Sequence, residues 1–286
     1  MRINGKLLSG SEHMILLCPI CKQRLVADGQ SYRCQNNHSF DISRKGAVNL
    51  LRSSGKGKHH GDDKRMVRAR TDFLNQGYYD NLSNVICDMI ASFIPEHSFV
   101  IDAGCGEGKY SLDVIKRIEA EGKSTEMLGV DISKEAISAL RSRSKEIMGV
   151  VSSTASIPVP DSCADLLLNI FSPLFPKEFH RVLKSNGKML RVIPQEKHLI
   201  ELKEVVYEKA YLNPHDTGEV EEFEIKNKAE VNYKVDITNQ NDIKALFQMT
   251  PYYYKTGEKD QNKLNDLDSL SITFSFGVFL YDRVGT

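Results

Sequence analysis

Four residues near the start of the chain have the types and the spacing that hold a metal ion. Cys18 and Cys21 are separated by two residues, twelve follow, and Cys34 and His38 are separated by three, giving C-x2-C-x12-C-x3-H. Two residues between paired ligands let a tight turn aim both side chains at one point, and a second turn completes a tetrahedron. Three thiolates with one imidazole favour zinc. No fifth ligand stands beside the four, so the site is structural, because catalytic zinc keeps a position open for water. A set of three cysteines without His38 is the alternative ligand set, and cysteines used as small core residues are the alternative to a metal. A turn at Asp28-Gly29, between the β-prone pieces Arg24 to Ala27 and Ser31 to Arg33, puts the ligand pairs on a β-hairpin ribbon.

A second cluster reads Asp102-Ala-Gly104-Cys105-Gly106-Glu-Gly108, between the apolar run from Phe99 and an amphipathic stretch carrying Tyr110, Val114, Ile115 and Ile118. Strand, glycine turn and helix in that order let a backbone close on a nucleotide-like ligand. The pattern D-x-G-x-G-x-G differs from the dinucleotide fingerprint and suits a smaller ligand, S-adenosylmethionine. Gly104 and Gly106, with Cys105 between them, would approach its amino-acid and ribose portions where a β-carbon would collide. Asp102 would orient that loop or the ammonium group of the donor. The next strand, Glu126 to Asp131, ends in an acid 23 residues after Gly108. Asp131 is placed there to accept from both hydroxyls of a ribose, and a helix-capping acid ahead of Ser133 is the alternative.

These side chains need a frame, and the rest of the chain predicts one. Helices over 63–75 and 79–93 precede the glycine loop. Strands at 149–152, 165–170 and 188–193 alternate with helices at 177–183 and 199–207. Alternation at this spacing predicts an α/β fold, a doubly wound Rossmann-like sheet with three layers, carrying the zinc ribbon at its N-terminus. Ligands of such sheets lie outside the carboxyl ends of the strands, so Asn169 to Pro173 and Pro194 to His198 should border one crevice. The run from Ser269 to Tyr281 alternates as a long strand that closes the sheet.

The chain has 286 residues, enough for one large domain or two smaller ones. We divide it into an N-terminal extension, ribbon and basic linker over 1–60 and a methyltransferase-like domain over 61–286. Lys plus Arg balance Asp plus Glu at 38 each, but residues 1–80 hold 14 basic against 7 acidic side chains. From Arg44 to Arg70 there are nine lysines or arginines, and Ser53 to Lys58 has a flexible composition. Such a segment suits phosphate backbones, with a solvated linker as the alternative. No apolar run approaches the roughly 18 residues that cross a bilayer, and no secretory signal opens the chain, so a cytoplasmic protein without disulfides is expected.

The motifs together resemble the bacterial 23S ribosomal RNA (guanine-N1)-methyltransferases that modify the helix 35 hairpin. The likeness covers the ribbon ligands, His38 to Asp41, Gly46 to Leu50, Gly61-Asp62, Arg68-Ala-Arg70, Phe73-Leu74, Gly77-Tyr-Tyr79 and Asp102 to Gly108. It continues through Asp131 to Lys134, Phe171-Ser-Pro173, His198 to Lys203 and Met249-Thr-Pro251. Phe171-Ser-Pro173 followed by Lys177 to Leu183 resembles the Gram-positive branch. The resemblance implies methyl transfer from S-adenosylmethionine to N1 of one guanine, 23S rRNA as partner, and Tyr79 and His198 joining the glycine loop around the donor. Where many methyltransferases carry an acid for the adenine amino group, Ser152-Ser153-Thr154 stands instead. The proton on guanine N1 calls for a base or a stabiliser of the guanine anion, for which His198, Glu107 and Asp102 are the candidates near the crevice, and the sequence singles out no catalytic residue. Phe171, Phe175 and Tyr252 to Tyr254 are candidates to stack on the base, with core packing as their alternative. A methyltransferase of another RNA or of a small molecule, and a non-catalytic RNA-binding protein, are the rival readings. A homodimer is compatible with a linker-borne ribbon.

Overall fold

In the computed structural model the described residues are 2–3, 6–7, 14–51 and 61–285. The flexible-looking Ser53 to Lys58 and the cations Arg52, Lys56 and Lys58 lie outside them.

The chain begins its ribbon with β1 (Val26–Asp28), β2 (Ser31–Arg33) and β3 (Ser39–Asp41), three antiparallel strands rather than a single hairpin. The expected turn is present: Asp28 pairs with Ser31 across it. β4 (Val48–Asn49) then leaves the ribbon and pairs in parallel with a strand of the main sheet. Helices α1 (Lys64–Leu74) and α2 (Asp80–Ala91) follow, the first capped by Asp63, whose carboxylate accepts the Met66 N–H at 2.9 Å. The alternating part comprises β5 (His97–Ala103), α3 (Lys109–Ala120), β6 (Ser124–Asp131), α4 (Lys134–Arg143), β7 (Met148–Val151) and β8 (Ala164–Ile170). After it come α5 (Pro176–Val182), β9 (Leu183–Pro194), α6 (Ile200–Val206), β10 (Phe223–Ile237), α7 (Gln240–Gln248), the short α8 (Glu258–Gln261) and β11 (Leu270–Arg283).

The main sheet has eight strands in the order β10-β11-β9-β8-β5-β6-β7-β4. β9 to β4 run parallel, and β11 is antiparallel to both of its neighbours. The central strands are nearly continuous apolar runs because both of their faces are covered. Two expectations are corrected at the far edge. The strand from Ser269 does not close the sheet, since β10 lies outside it, and β10 was not expected at all. Its outward residues, such as Glu224, Lys228 and Glu230, are exposed, and a register shift between Ile225 and Asn227 interrupts the apolar alternation that resumes at Ala229, Val231, Tyr233, Val235 and Ile237.

Successive strand residues point to opposite faces. Val100, Leu166 and Leu168 meet helices, among them Phe73 of α1, Ile86 of α2, Val114 of α3 and Leu140 of α4. Phe99, Ile101 and Leu167 meet a second cluster in which the ribbon supplies Leu16, Cys18, Leu25 and Cys34, and α5 supplies Phe179. A helix would ordinarily cross over between parallel β7 and β8. Residues 152–163 form none, and the ribbon occupies that face, with the Leu17 N–H donating to the Pro158 carbonyl at 2.8 Å. Arg181 of α5 donates to the carbonyls of Ile157 and Val159, both at 2.9 Å, and pins the bare connection. The ribbon is therefore the third layer and not a module swinging on a linker.

Gly129 in β6 has no room for a side chain. A β-carbon there would lie 2.7 Å from Leu140 Cδ1 and 3.0 Å from Cys105 Sγ. Gly129→Val is expected to lower unfolding stability by about 1–3 kcal/mol through overpacking, read from urea midpoints. An unchanged midpoint would contradict the close α4–β6 contact.

Candidate functional site

The ribbon brings its four sequence-predicted ligands together. One ligand atom from each of Cys18, Cys21, Cys34 and His38 lies within 4.8 Å of the others. His38 Nδ1 is 3.5 Å from Cys18 Sγ and 3.3 Å from Cys34 Sγ, and the sulfurs of Cys21 and Cys34 are 3.5 Å apart. A tetrahedron with about 2.3 Å bonds to sulfur and about 2.0 Å to nitrogen has edges of about this length, so the donor set fits zinc with His38 included. The turns that aim them are alike. Lys22 donates its N–H to the Cys18 carbonyl at 2.9 Å, Asn37 donates to Cys34 at 3.0 Å, and both donors are left-handed, at φ 62° and 60°. The backbone N–H of Gln23 draws the Cys21 thiol down to about 6, in the direction of the thiolate that a metal needs.

The second site forms where β5 runs into α3. Gly104 and Cys105 donate their N–H groups to the Val130 carbonyl at 2.8 and 3.2 Å. Gly106 donates to Asp131 Oδ2 at 3.0 Å, and Ser133 donates to Asp131 Oδ1 at 2.8 Å. Asp131 thus ties the glycine loop to the start of α4 while each oxygen keeps a second lone pair for a hydroxyl. Burial pushes its carboxyl upward. The two glycines do different work. A β-carbon on Gly104, at φ 89°, would collide with the Ser172 side chain, so the space there admits the neighbouring loop. Gly106, at φ 54°, faces open space whose nearest atom is Arg70 Nη1 at 3.7 Å from a built β-carbon. Cys105 contributes only its backbone, since its sulfur is buried near Gly129.

Asp102 is 2% exposed. Ser111 donates to its Oδ2 at 2.5 Å, whereas Oδ1 has no partner. Burial first, then the charges of Asp131 and Glu107, push its pKa up to about 7 against the Ser111 bond. An orphaned oxygen beneath a glycine loop that leaves room above Gly106 fits a ligand carrying an ammonium group and a ribose.

Tyr79 and His198 meet in one aromatic cluster, although nearly 120 residues separate them. Tyr79 lies 4.8 Å from Phe274 and 5.2 Å from Phe276, ring to ring, and His198 lies 4.5 Å from Phe276. His198 Nδ1 accepts the Ser275 N–H at 3.3 Å. Burial pushes its pKa down to about 3, so it is neutral and a weak base at neutral pH. Glu107 is buried in an ion pair with Arg143, and Asp102 lies beneath the loop. Glu107 and His198 thus offer no free basic group, and the free oxygen of Asp102 is buried.

Phe171 stands at the rim, 43% exposed and held at φ 55°, with its ring 5.5 Å from Phe276. Left-handed backbone at a bulky side chain is strained, and such strain collects at functional positions. Asn169 makes the turn by donating to the Ser172 and Pro173 carbonyls at 3.3 and 3.2 Å. Phe175 turns the other way, against Phe179 in the ribbon-side cluster. The tyrosine run is tethered: the Tyr253 hydroxyl accepts from Arg65 at 2.6 Å, Tyr254 donates to Asp63, and Tyr252 donates to Asn213 at 3.3 Å.

Several residues at the site escaped the sequence reading. Arg70 ion-pairs with Asp62 and donates to the Met249 carbonyl at 3.2 Å, fastening α1 over the loop. Lys203 is fully buried, donates to Asn213 Oδ1 at 2.7 Å and to the Tyr211 carbonyl at 3.0 Å, and lies 4.6 Å from the Tyr211 ring. Asn213 in turn donates to the carbonyls of Gln195 and His198 at 2.9 and 3.3 Å. A lysine in the apolar stripe of a helix was the available signal, and Ser111 on the inner face of α3 was another.

Comparison with known proteins matches both parts. A family model described as RlmA, N-terminal, a zinc ribbon, covers residues 16–57, and a model described as a methyltransferase domain covers residues 95–250. YxjB of Bacillus subtilis, provisionally named a 23S rRNA (guanine-N1)-methyltransferase, is 30% identical over 276 residues, spanning 92% of this chain and 95% of that one. The 23S rRNA (guanine(748)-N1)-methyltransferase of Streptomyces fradiae is 35% identical over 191 residues, 65% of this chain and 66% of its own.

Two outcomes are expected. Cys21→Ser removes one ligand, so the purified protein should lose its stoichiometric zinc in elemental analysis; full zinc content would contradict the site. Folding raises the Asp102 carboxyl to about 7. The folded state therefore holds that proton more tightly, and stability falls as pH rises from about 4 to about 7, with the whole deficit present above. Asp102→Asn should gain stability relative to the parent as pH rises from about 4 to about 7, read from urea midpoints, and a constant difference would contradict the shift.

Proposed function

The chain belongs to the 23S rRNA (guanine-N1)-methyltransferase family, and from that premise we propose that it methylates N1 of a guanine in the helix 35 hairpin of 23S rRNA, using S-adenosylmethionine. The observation that carries the reading is the glycine loop bound to Asp131, built on the same sheet whose other face holds the zinc ribbon. The ribbon and basic linker over 1–60 serve RNA docking, and 61–286 serve methyl transfer, in the cytoplasm. No helix among the described residues is long and apolar enough to cross a membrane. One chain supplies the glycine loop, Asp102, Asp131, Tyr79, His198 and Phe171.

When bound, S-adenosylmethionine supplies a methyl group on a positively charged sulfur. Transfer would form an N1–methyl bond as the sulfur–methyl bond breaks, the sulfur keeping that electron pair and the N1 proton passing to water. The chain's own part is placement along that axis. Gly104, Cys105 and Gly106 would hold the donor, Asp131 its ribose, and Asp102, through its unpartnered oxygen, its ammonium group. Tyr79 and His198 would wall the methionine end with uncharged surface. Phe171, exposed at the rim, would stack on the guanine. Accessible loop guanines suit such a site because N1 lies on the pairing edge.

Incubation with S-adenosylmethionine and unmodified 23S rRNA should create one reverse-transcription stop in the hairpin. Gly106→Val should abolish donor binding by calorimetry, and unchanged binding would refute the donor assignment. Phe171→Ala should lower kcat/KM for RNA by about tenfold to a hundredfold, the worth of one stacked base, while leaving donor affinity intact.

A further inference from the structure

A pocket of about 380 Å³ opens at the sheet edge, between the chain leaving the ribbon and α4. Val48, Ile137 and Val151 make its apolar floor. Three exposed cations, Arg44, Lys45 and Lys134, line it against a single acid, Asp41. None of the three cations forms an ion pair among the described residues. Lys45 is laid along α4, its Nζ 3.0 Å from Ser138 Oγ, and so presents its charge from a fixed position. An apolar floor with a cationic rim is complementary to a nucleobase joined to its phosphate.

The place of the pocket says which molecule supplies that nucleotide. Asn49 of β4, Val151 of β7 and Asp131 of β6 are consecutive partners across parallel strands. Asn49 therefore stands about two strand spacings, about 10 Å, from the carboxylate assigned to the donor ribose. Phe171 follows β8, four spacings from β4, or about 19 Å along the same carboxyl ends. A single strand of RNA with its target base at Phe171 can reach the pocket within a few nucleotides. The free donor is small and is accounted for at the glycine loop.

We infer that this pocket is a second RNA subsite, which takes a nucleotide flanking the target guanine, base on the floor and phosphate on Arg44, Lys45 and Lys134. This rests on the proposed activity on RNA. It makes the junction of ribbon and sheet, and not the ribbon alone, a reader of the substrate strand. The subsite adds binding energy without touching the reacting atoms, so its loss raises KM and spares kcat at saturating RNA.

The test uses the full chain with Arg44→Gln and Lys134→Gln combined, since neither side chain makes a hydrogen bond among the described residues and the fold should survive. Binding of an unmodified helix 35 hairpin transcript is measured at several salt concentrations, with Lys116→Gln on α3 as a control for loss of a generic surface charge. The double variant should bind about tenfold more weakly, with the slope of log affinity against log salt reduced by about 1–2, as expected for one or two lost phosphate contacts. Its donor affinity and saturating kcat should match the parent. Equal RNA affinity and slope, or a loss no greater than that of the control, would overturn the subsite while leaving the methyltransferase reading in place. Failure of the unaltered protein to bind or methylate the transcript would overturn both.

Discussion

One carboxylate fixes the geometry on which the site depends. Asp131 receives the N–H of Gly106 on one oxygen and that of Ser133 on the other, and so binds two strand-to-helix turns into a single surface. Without that clasp the amides of a glycine-rich turn would be free to sample many conformations, because residues lacking a β-carbon lose the most freedom on ordering. The Val130 carbonyl takes the two amides before it, and Ser133 donates its hydroxyl to the Asp62 carbonyl at 2.6 Å, which draws the start of α1 to the same point. Loop, second helix and N-terminal helix are thus anchored within one turn of β6.

Ionisable groups without full solvation recur at the same end of the sheet. Asp102, Glu107, His198 and Lys203 are all buried, and each meets its cost differently. Asp102 carries its proton into the neutral range, Glu107 is paired with Arg143, His198 stays neutral, and Lys203 is satisfied by a carbonyl and an amide oxygen. Perturbed groups that cluster at one end of a sheet mark a functional region with a physical reason. At guanine N1 the consequence would be a site that shapes and orients the reactants and offers no strong base. Catalysis there would rest on alignment of the reacting atoms.

The chemistry-bearing spacings were readable from the sequence because each is local. Cys18, Cys21, Cys34 and His38 declare themselves by separations of two to twelve residues, and Asp102 to Gly108 by the switch from a strand to a helix. The bordering of one crevice by Asn169–Pro173 and His198 also followed from strand order. What escaped was non-local or disguised. β4 is only two residues long, and its pairing with β7 joins positions about a hundred residues apart. β10 hides its alternation behind charged outward residues and a bulge. Arg70 reaches the loop through tertiary placement of α1, and no spacing announces that. The role of the ribbon as a layer could not be read either, because nothing in residues 152–163 says that a helix is missing.

That layer has a consequence for physiology. Cys18 and Cys34 belong to the same apolar cluster as the sheet, so an ion held by them would do more than shape a docking tip; it would brace one wall of the enzyme's interior. In a closed cluster of four ligands, binding energy for the metal is folding energy. Demetallation would loosen Leu16, Cys18, Leu25 and Cys34 within that cluster and expose apolar surface that invites aggregation and proteolysis. Loss of zinc would then cost the enzyme part of its interior, so the folded amount would depend on the metal as well as on the chain.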